Sequence, residues 1–164
     1  MKINIQQLST CWPKIPLGDL VDFLDSQRKP IKSSERKPGP YPYYGANGLQ
    51  DYVDGYLFDE KLVLLAEDGG YFFDPVRPIS YIVDGRCWVN NHAHVLRTRQ
   101  QVIPEFLNYQ LGFSEIKTYL SGSTRAKLTK GDASRIEIIC PPLPEQRRIV
   151  DLLSRAEGIV RLRR

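Results

Sequence analysis

The sequence predicts an α+β domain, a twisted and mostly antiparallel sheet with packed helices, followed by a projecting C-terminal helix of coiled-coil type. Three observations carry that prediction. Residues 41–98 hold short aromatic and β-branched runs broken by Gly, Asp and Asn. Residues 104–120 place apolar side chains at helical intervals behind an opening proline. A stiff Pro141-Pro142-Leu143-Pro144 then precedes a continuous helical pattern to the end of the chain.

Taken in order, Leu17, Leu20, Val21 and Leu24 recur at helical spacing and predict a short entry helix within residues 15–24. Residues 25–40 are polar and cationic and are interrupted by Pro30, Pro38 and Pro40, which predicts a mobile loop. Strands are predicted at Tyr41–Tyr44, Gly48–Val53, Leu62–Ala66, Ile79–Val83, Arg86–Val89 and Ala93–Thr98. Asp84-Gly85 between two of them is a hairpin signal.

Pro104 opens a helix, where its missing N–H is harmless. Phe106, Tyr109, Phe113, Ile116 and Leu120 lay one stripe along it, and Gly122 is expected to end it. A polar loop, 121–130, leads to a short strand at Ile136–Cys140. Residues 145–164 form the last helix, in which Ile149, Leu153, Ala156 and Val160 make a heptad-like seam. An isolated helix of that length is marginal in water, so it needs a partner surface. That surface is either its own domain or another helix, and the proline-rich lead favours the latter.

The chain has 164 residues, 41% hydrophobic and 26% charged, the size and composition of one globular domain. There is no apolar run long enough to span a bilayer and no signal-peptide pattern, so a cytoplasmic protein is expected. Cys11, Cys87 and Cys140 are isolated from one another, which suggests neither a disulfide framework nor a zinc site. The net charge of +4 is unevenly spread: residues 50–84 carry eight acids and two bases, and the remainder is strongly basic. Such asymmetry points to a basic face and an acidic partner, nucleic acid above all.

Pro42-Tyr43-Tyr44-Gly45-Ala46-Asn47-Gly48, Trp88-Val89-Asn90-Asn91-His92-Ala93-His94-Val95-Leu96 and Ile138-Ile139-Cys140-Pro141-Pro142-Leu143-Pro144-Glu145-Gln146 follow one another behind the opening Trp12-Pro13-Lys14-Ile15-Pro16-Leu17-Gly18-Asp19-Leu20. Together they resemble the specificity subunits of type I restriction-modification systems. The resemblance implies a non-catalytic DNA-reading module without a cofactor. Residues 1–143 would be a target-recognition domain, and 144–164 the start of a spacer and dimerisation helix. Members of that family carry two recognition domains, read a split site on duplex DNA, and hold methyltransferase and motor-nuclease subunits. Each motif occurs once here, so a homodimer through the helix is expected.

The DNA-contact candidates follow from residue type. Arg28, Lys29, Lys32, Arg36 and Lys37 put five cations in ten residues, opposed only by Glu35. Ser123, Thr124, Arg125 and Lys127, extended by Lys130, combine hydroxyls and cations suited to phosphate oxygens. Ordinary solvated charge is the alternative for both loops. Tyr43, Tyr44 and Asn47 could stack or hydrogen-bond at DNA, and Asn91 is a further contact candidate, but Gly45 and Gly48 suit a turn and the tyrosines suit sheet packing, so the structural reading of the tyrosine motif is favoured. His92 and His94 fall on one strand face without an acidic or cysteine neighbour in sequence, so an Asn-stabilised turn is favoured over a metal site.

Enzymatic alternatives lack their motifs. No Asn/Asp-Pro-Pro-aromatic sequence and no phosphate-binding G-x-x-x-x-G-K-[ST] is present, and Glu115-Ile116-Lys117 lies on a predicted helix. The competing reading is a protein-interaction module that joins a complex through its helix without touching DNA.

Overall fold

The computed structural model describes residues 12–114, 116–122 and 126–162. The fold begins with β1 (Lys14–Pro16), α1 (Leu17–Leu20) and β2 (Val21–Phe23). The central strands are β3 (Tyr41–Gly45), β4 (Gly48–Val53), β5 (Phe58–Asp59), β6 (Leu62–Ala66), β7 (Ser80–Val83), β8 (Arg86–Val89) and β9 (Ala93–Thr98). Then come α2 (Pro104–Phe113), α3 (Lys130–Ser134), β10 (Glu137–Ile139) and α4 (Leu143–Leu162). One sheet has the order β2-β9-β6-β7, a second β4-β3-β8-β5, and β1 pairs with β10 in a two-stranded ribbon. Pairing is antiparallel except between β3 and β8.

Strand β6 explains the layering. Its side chains alternate between two cores, so all five residues are buried and the strand reads as a continuous apolar run. Leu62 and Leu64 meet Phe58, Cys87, Val89 and Val95 between the two four-stranded sheets. Val63 and Leu65 meet Leu17, Leu20, Phe106, Leu107, Leu111 and Leu128 on the helical side. The result is sheet on sheet on helix, an α+β body as predicted.

Strands β4, β6, β8 and β9 have the predicted bounds. The entry helix does not: only Leu17–Leu20 is helical, and Val21–Phe23 pairs with β9. Leu17, Leu20 and Val21 enter the helical-side core and Leu24 the inter-sheet core, so their helical spacing serves two destinations. Asp84-Gly85 is also not a hairpin. Gly85 adopts φ 82°, but β7 pairs with β6 while β8 pairs with β3 and β5. The turn carries the chain from one sheet to the other.

Helix α2 stops at Phe113, well before Gly122, and the extended backbone of Ser114 follows (φ −67°, ψ 137°). Its buried positions are Phe106, Leu107, Gln110 and Leu111, while Tyr109 is half-exposed and donates its hydroxyl to Glu157. Ile116 reaches the core from a separate turn. α3 was not anticipated, yet Thr129 caps it: Oγ1 accepts the Asp132 N–H at 3.2 Å and donates to Asp132 Oδ2 at 2.6 Å.

α4 is docked at its beginning. Gln146 is fully buried; its Oε1 accepts the Ile103 N–H (3.0 Å) and its Nε2 donates to the carbonyls of Gln101 (2.8 Å) and Pro141 (2.9 Å). Ile149 and Val150 pack on the helical-side core. Beyond them the helix is largely uncovered, with Leu152 57% exposed. The proline-rich lead therefore does not hold the whole helix away; projection begins about two turns in. Among the described residues no helix is long and apolar enough to cross a membrane.

Candidate functional site

The cationic segment 25–40 is strapped across the outer face of the β4-β3-β8-β5 sheet. The Trp88 indole N–H donates to the Lys29 carbonyl (2.6 Å), and the Ile31 N–H to the Tyr43 hydroxyl (3.0 Å). The Arg36 guanidinium stacks 4.3 Å over the Tyr43 ring and pairs with Asp51 at 3.1 Å. These ties correct the expectation of a mobile loop. They also sort the five cations: Arg28 and Arg36 turn inward, while Lys29, Lys32 and Lys37 stand exposed. Lys32 has only a loose pairing with Glu35 at 3.7 Å.

Arg28 organises a network that sequence reasoning missed. With a side chain only 12% exposed, it lies 2.7 Å from Glu67 and 3.5 Å from Asp25, and donates to the Ala93 carbonyl at 2.7 Å and, more weakly, to that of Asn91 at 3.4 Å. The His94 side chain, 1% exposed, places Nδ1 2.6 Å from Asp25 and Nε2 2.8 Å from the Leu128 carbonyl. The ring is thus held at both nitrogens, between the Asp25 carboxyl and the Leu128 carbonyl. Burial pushes the Asp25 carboxyl up, but the His94 hydrogen bond and charge, with the Val95 N–H and Arg28, outweigh it and hold it below its usual range. Glu67 is likewise raised by burial and lowered further by Arg28 and Lys127, the latter 3.0 Å away.

Asp25, Glu67 and His94 bring ligand-type atoms within 4.8 Å of one another. Arg28 and Lys127 already neutralise the carboxylates, and the second His94 nitrogen is spent on Leu128. The cluster fits an ion-pair network and not a metal cradle. No local sequence signal announces it, because Asp25 and Glu67 lie 69 and 27 positions before His94.

The remaining candidates fall at three places. Asn47 is exposed and its amide donates to the Gly69 carbonyl (2.9 Å), Asn91 is exposed beside Arg28, and Lys127 bridges through its backbone to Asp68. Asn47 bonds Gly69, the Glu67 and Asp68 N–H groups donate to the His92 carbonyl, and Asp68 bridges to Lys127, which joins these segments into one polar edge. Tyr44 faces the inter-sheet core, its ring 5.8 Å from Tyr81, and burial raises its hydroxyl pKa; it packs the sheet. Lys130 is exposed at the start of α3, 5.5 Å from the Phe23 ring. Ser123, Thr124 and Arg125 lie outside the described residues.

Asn90 makes the turn before β9: Oδ1 accepts the His92 N–H (2.8 Å) and Nδ2 donates to Gln50 (3.1 Å). His92 bonds Asp68 at 2.5 Å. Of the helix-pairing set, Ile149 is taken by its own core, Leu153 is half-buried and Ala156 is exposed; the Val160 side chain is outside the described part.

The family model for the type I restriction modification DNA specificity domain matches residues 11–163. The chain belongs to that family. A putative type I restriction enzyme specificity subunit of Haemophilus influenzae is 41% identical to it over 138 residues, 84% of this chain and 35% of the relative. A specificity-subunit structure from M. genitalium superposes with a TM-score of 0.71 at 16% identity, covering 96% of this chain and 41% of that one. The corresponding subunit of Thermoanaerobacter tengcongensis gives 0.64 at 22% identity, covering 93% and 39%. At these identities the two structures establish the fold alone. The chain spans about a third of the length of the curated relatives.

Proposed function

We propose that the chain reads duplex DNA sequence-specifically as one recognition unit of a type I restriction-modification complex. In this reading it performs no chemistry itself and directs methyltransferase and motor-nuclease subunits in the cytoplasm. The observation that carries it is the sorting of the cations within a domain of this family. Two arginines are spent on holding the fold, while Lys29, Lys32 and Lys37 stay exposed on a strap pinned to a rigid sheet. Fixed cations of that kind suit phosphate contacts, which set register and leave base reading to the neighbouring polar edge with Asn47 and Asn91.

The uncovered turns of α4 support pairing with a second copy, which would set two readers on one duplex at a spacing fixed by the helices. The same turns favour the second reading, docking on a companion protein without DNA contact. A salt titration separates the two. If several phosphates are contacted, log affinity for duplex DNA falls linearly with log salt, by about 0.9 per phosphate neutralised. A flat response, or no duplex binding at low salt, overturns the DNA reading.

A further inference from the structure

The connection between β6 and β7 carries a feature that the phosphate-contact reading does not use. It is anchored at both ends, since Phe72 and Ile79 are buried in the helical-side core. Between these anchors Asp74 ties a tight knot. Its Oδ1 accepts the N–H groups of Val76 (2.8 Å) and Arg77 (2.9 Å), and its Oδ2 accepts from Arg77 Nε (2.6 Å). Those backbone and side-chain donors hold the Asp74 carboxyl down to about 2. The Asp74 N–H donates to the Tyr71 carbonyl, and the Arg77 guanidinium lies 3.6 Å over the Tyr71 ring. Pro75 fixes one more backbone angle at the tip.

What this turn presents is apolar. Phe73 is 69% and Val76 81% exposed. Scattered surface hydrophobics need no explanation, but these two lie three positions apart, on either side of the Asp74-Pro75 step of a turn that Asp74 and Arg77 hold in shape. The area is also informative. One aromatic and one valine expose at most a few hundred Å², whereas a stable protein partner needs about 800 Å² per side. A contact of base-pair size fits.

Charge does not oppose such a contact. The acids of this segment are all engaged: Glu67 by Arg28 and Lys127, Asp68 by His92, and Asp74 by Arg77. The acidic sequence of residues 50–84 therefore does not present a bare anionic surface here. The connection starts at the polar edge, where the Gly69 carbonyl accepts from Asn47 and Asp68 bridges to Lys127.

We propose that Phe73 and Val76 form an apolar probe that touches thymine C5-methyl groups in the major groove and so sets base preference at one or two positions. This rests on the DNA reading above. Thymine is the base whose major-groove edge offers a methyl group, and an apolar side chain is its matching contact.

The test begins with duplexes selected from a random library by the full chain. Failure of the unaltered chain to select any motif would sink the DNA reading, and the probe with it. Given a motif, thymines are replaced singly by uracil, which removes only the methyl group. The unaltered chain should lose affinity several-fold at one or two positions. F73A and V76A should lose about tenfold in discrimination there, become indifferent to uracil, and keep the same salt slope; Phe73→Leu should retain most of the preference. Both sites are exposed, so melting temperatures should match. If the variants select the same motif with the same uracil sensitivity, the probe is overturned and the tip is left to a protein partner.

Discussion

His94 Nδ1 lies 2.6 Å from Asp25 Oδ2, and this pair welds β9 to the segment from which the cationic strap departs. The same ring holds the Leu128 carbonyl, at the foot of the 121–127 loop. The start of the cationic strap and the residue that follows Lys127 are therefore tied to one imidazole ring.

Removing that ring should be expensive. His94→Leu leaves Asp25 with only Arg28 and the Val95 N–H, and the Leu128 carbonyl without its donor. A loss of about 3–5 kcal/mol is expected for breaking a buried pair, read as a lower urea midpoint at unchanged slope.

Acid should weaken the same network. The folded-state pKa values of Asp25 and Glu67 are lowered, so their contribution is complete above the ordinary values of 3.8 and 4.5 and is lost as the pH falls below them. Urea midpoints should drop between about pH 5 and pH 3, and D25N/E67Q should flatten that drop. An equal drop in the double variant would place the acid sensitivity elsewhere.

The two classes of cation should separate cleanly. Arg28→Ala uncovers Asp25 and Glu67 and should cost stability, again about 3 kcal/mol or more. K29E/K32E/K37E should melt within about 0.5 kcal/mol of the unaltered chain and lose affinity for all duplexes alike. Retained binding in the triple variant would move the phosphate face to another surface.

Gln146 joins the first turn of α4 to the segment leading into α2 through hydrogen bonds with Ile103 and Gln101, and a third bond closes on Pro141 just ahead of α4. Gln146→Leu leaves a buried N–H and two carbonyls unmet, at roughly 2–4 kcal/mol. Faster amide exchange at Ile103 and in the first turns of α4 would locate the effect.

Leu152→Glu alters an exposed position on the free half of α4. If that face pairs two copies, sedimentation should shift from dimer to monomer with the melting temperature of the recognition body preserved. A monomer before substitution would remove the pairing.

Legibility in the sequence followed locality. β4, β6, β8 and β9 were readable because period-2 or fully apolar runs ended at turn residues, and β6 is continuous because both its faces are covered. α3 was readable in principle, since Thr129-Lys130-Gly131-Asp132 is a capping pattern that went unused. The Asp84-Gly85 turn exposed the limit: a positive-φ glycine marks a change of direction and says nothing of which strand lies alongside. At the site, residue type alone grouped Arg28 with Lys29, although one is sealed among carboxylates and the other faces solvent. The distinction depends on Glu67, 39 positions away, which no spacing rule links to Arg28.

β1 and β10 have a consequence beyond closing the helical-side core. Their antiparallel register, from Lys14 beside Ile139 to Pro16 beside Glu137, puts the two ends of the intervening chain side by side. Every strand and helix from α1 to α3 therefore starts and finishes at one two-stranded ribbon. Gln146 then ties α4 back to Gln101 and Ile103, inside that same stretch. Any segment substituted between β1 and β10 must keep those two partners if the helix is to keep its footing.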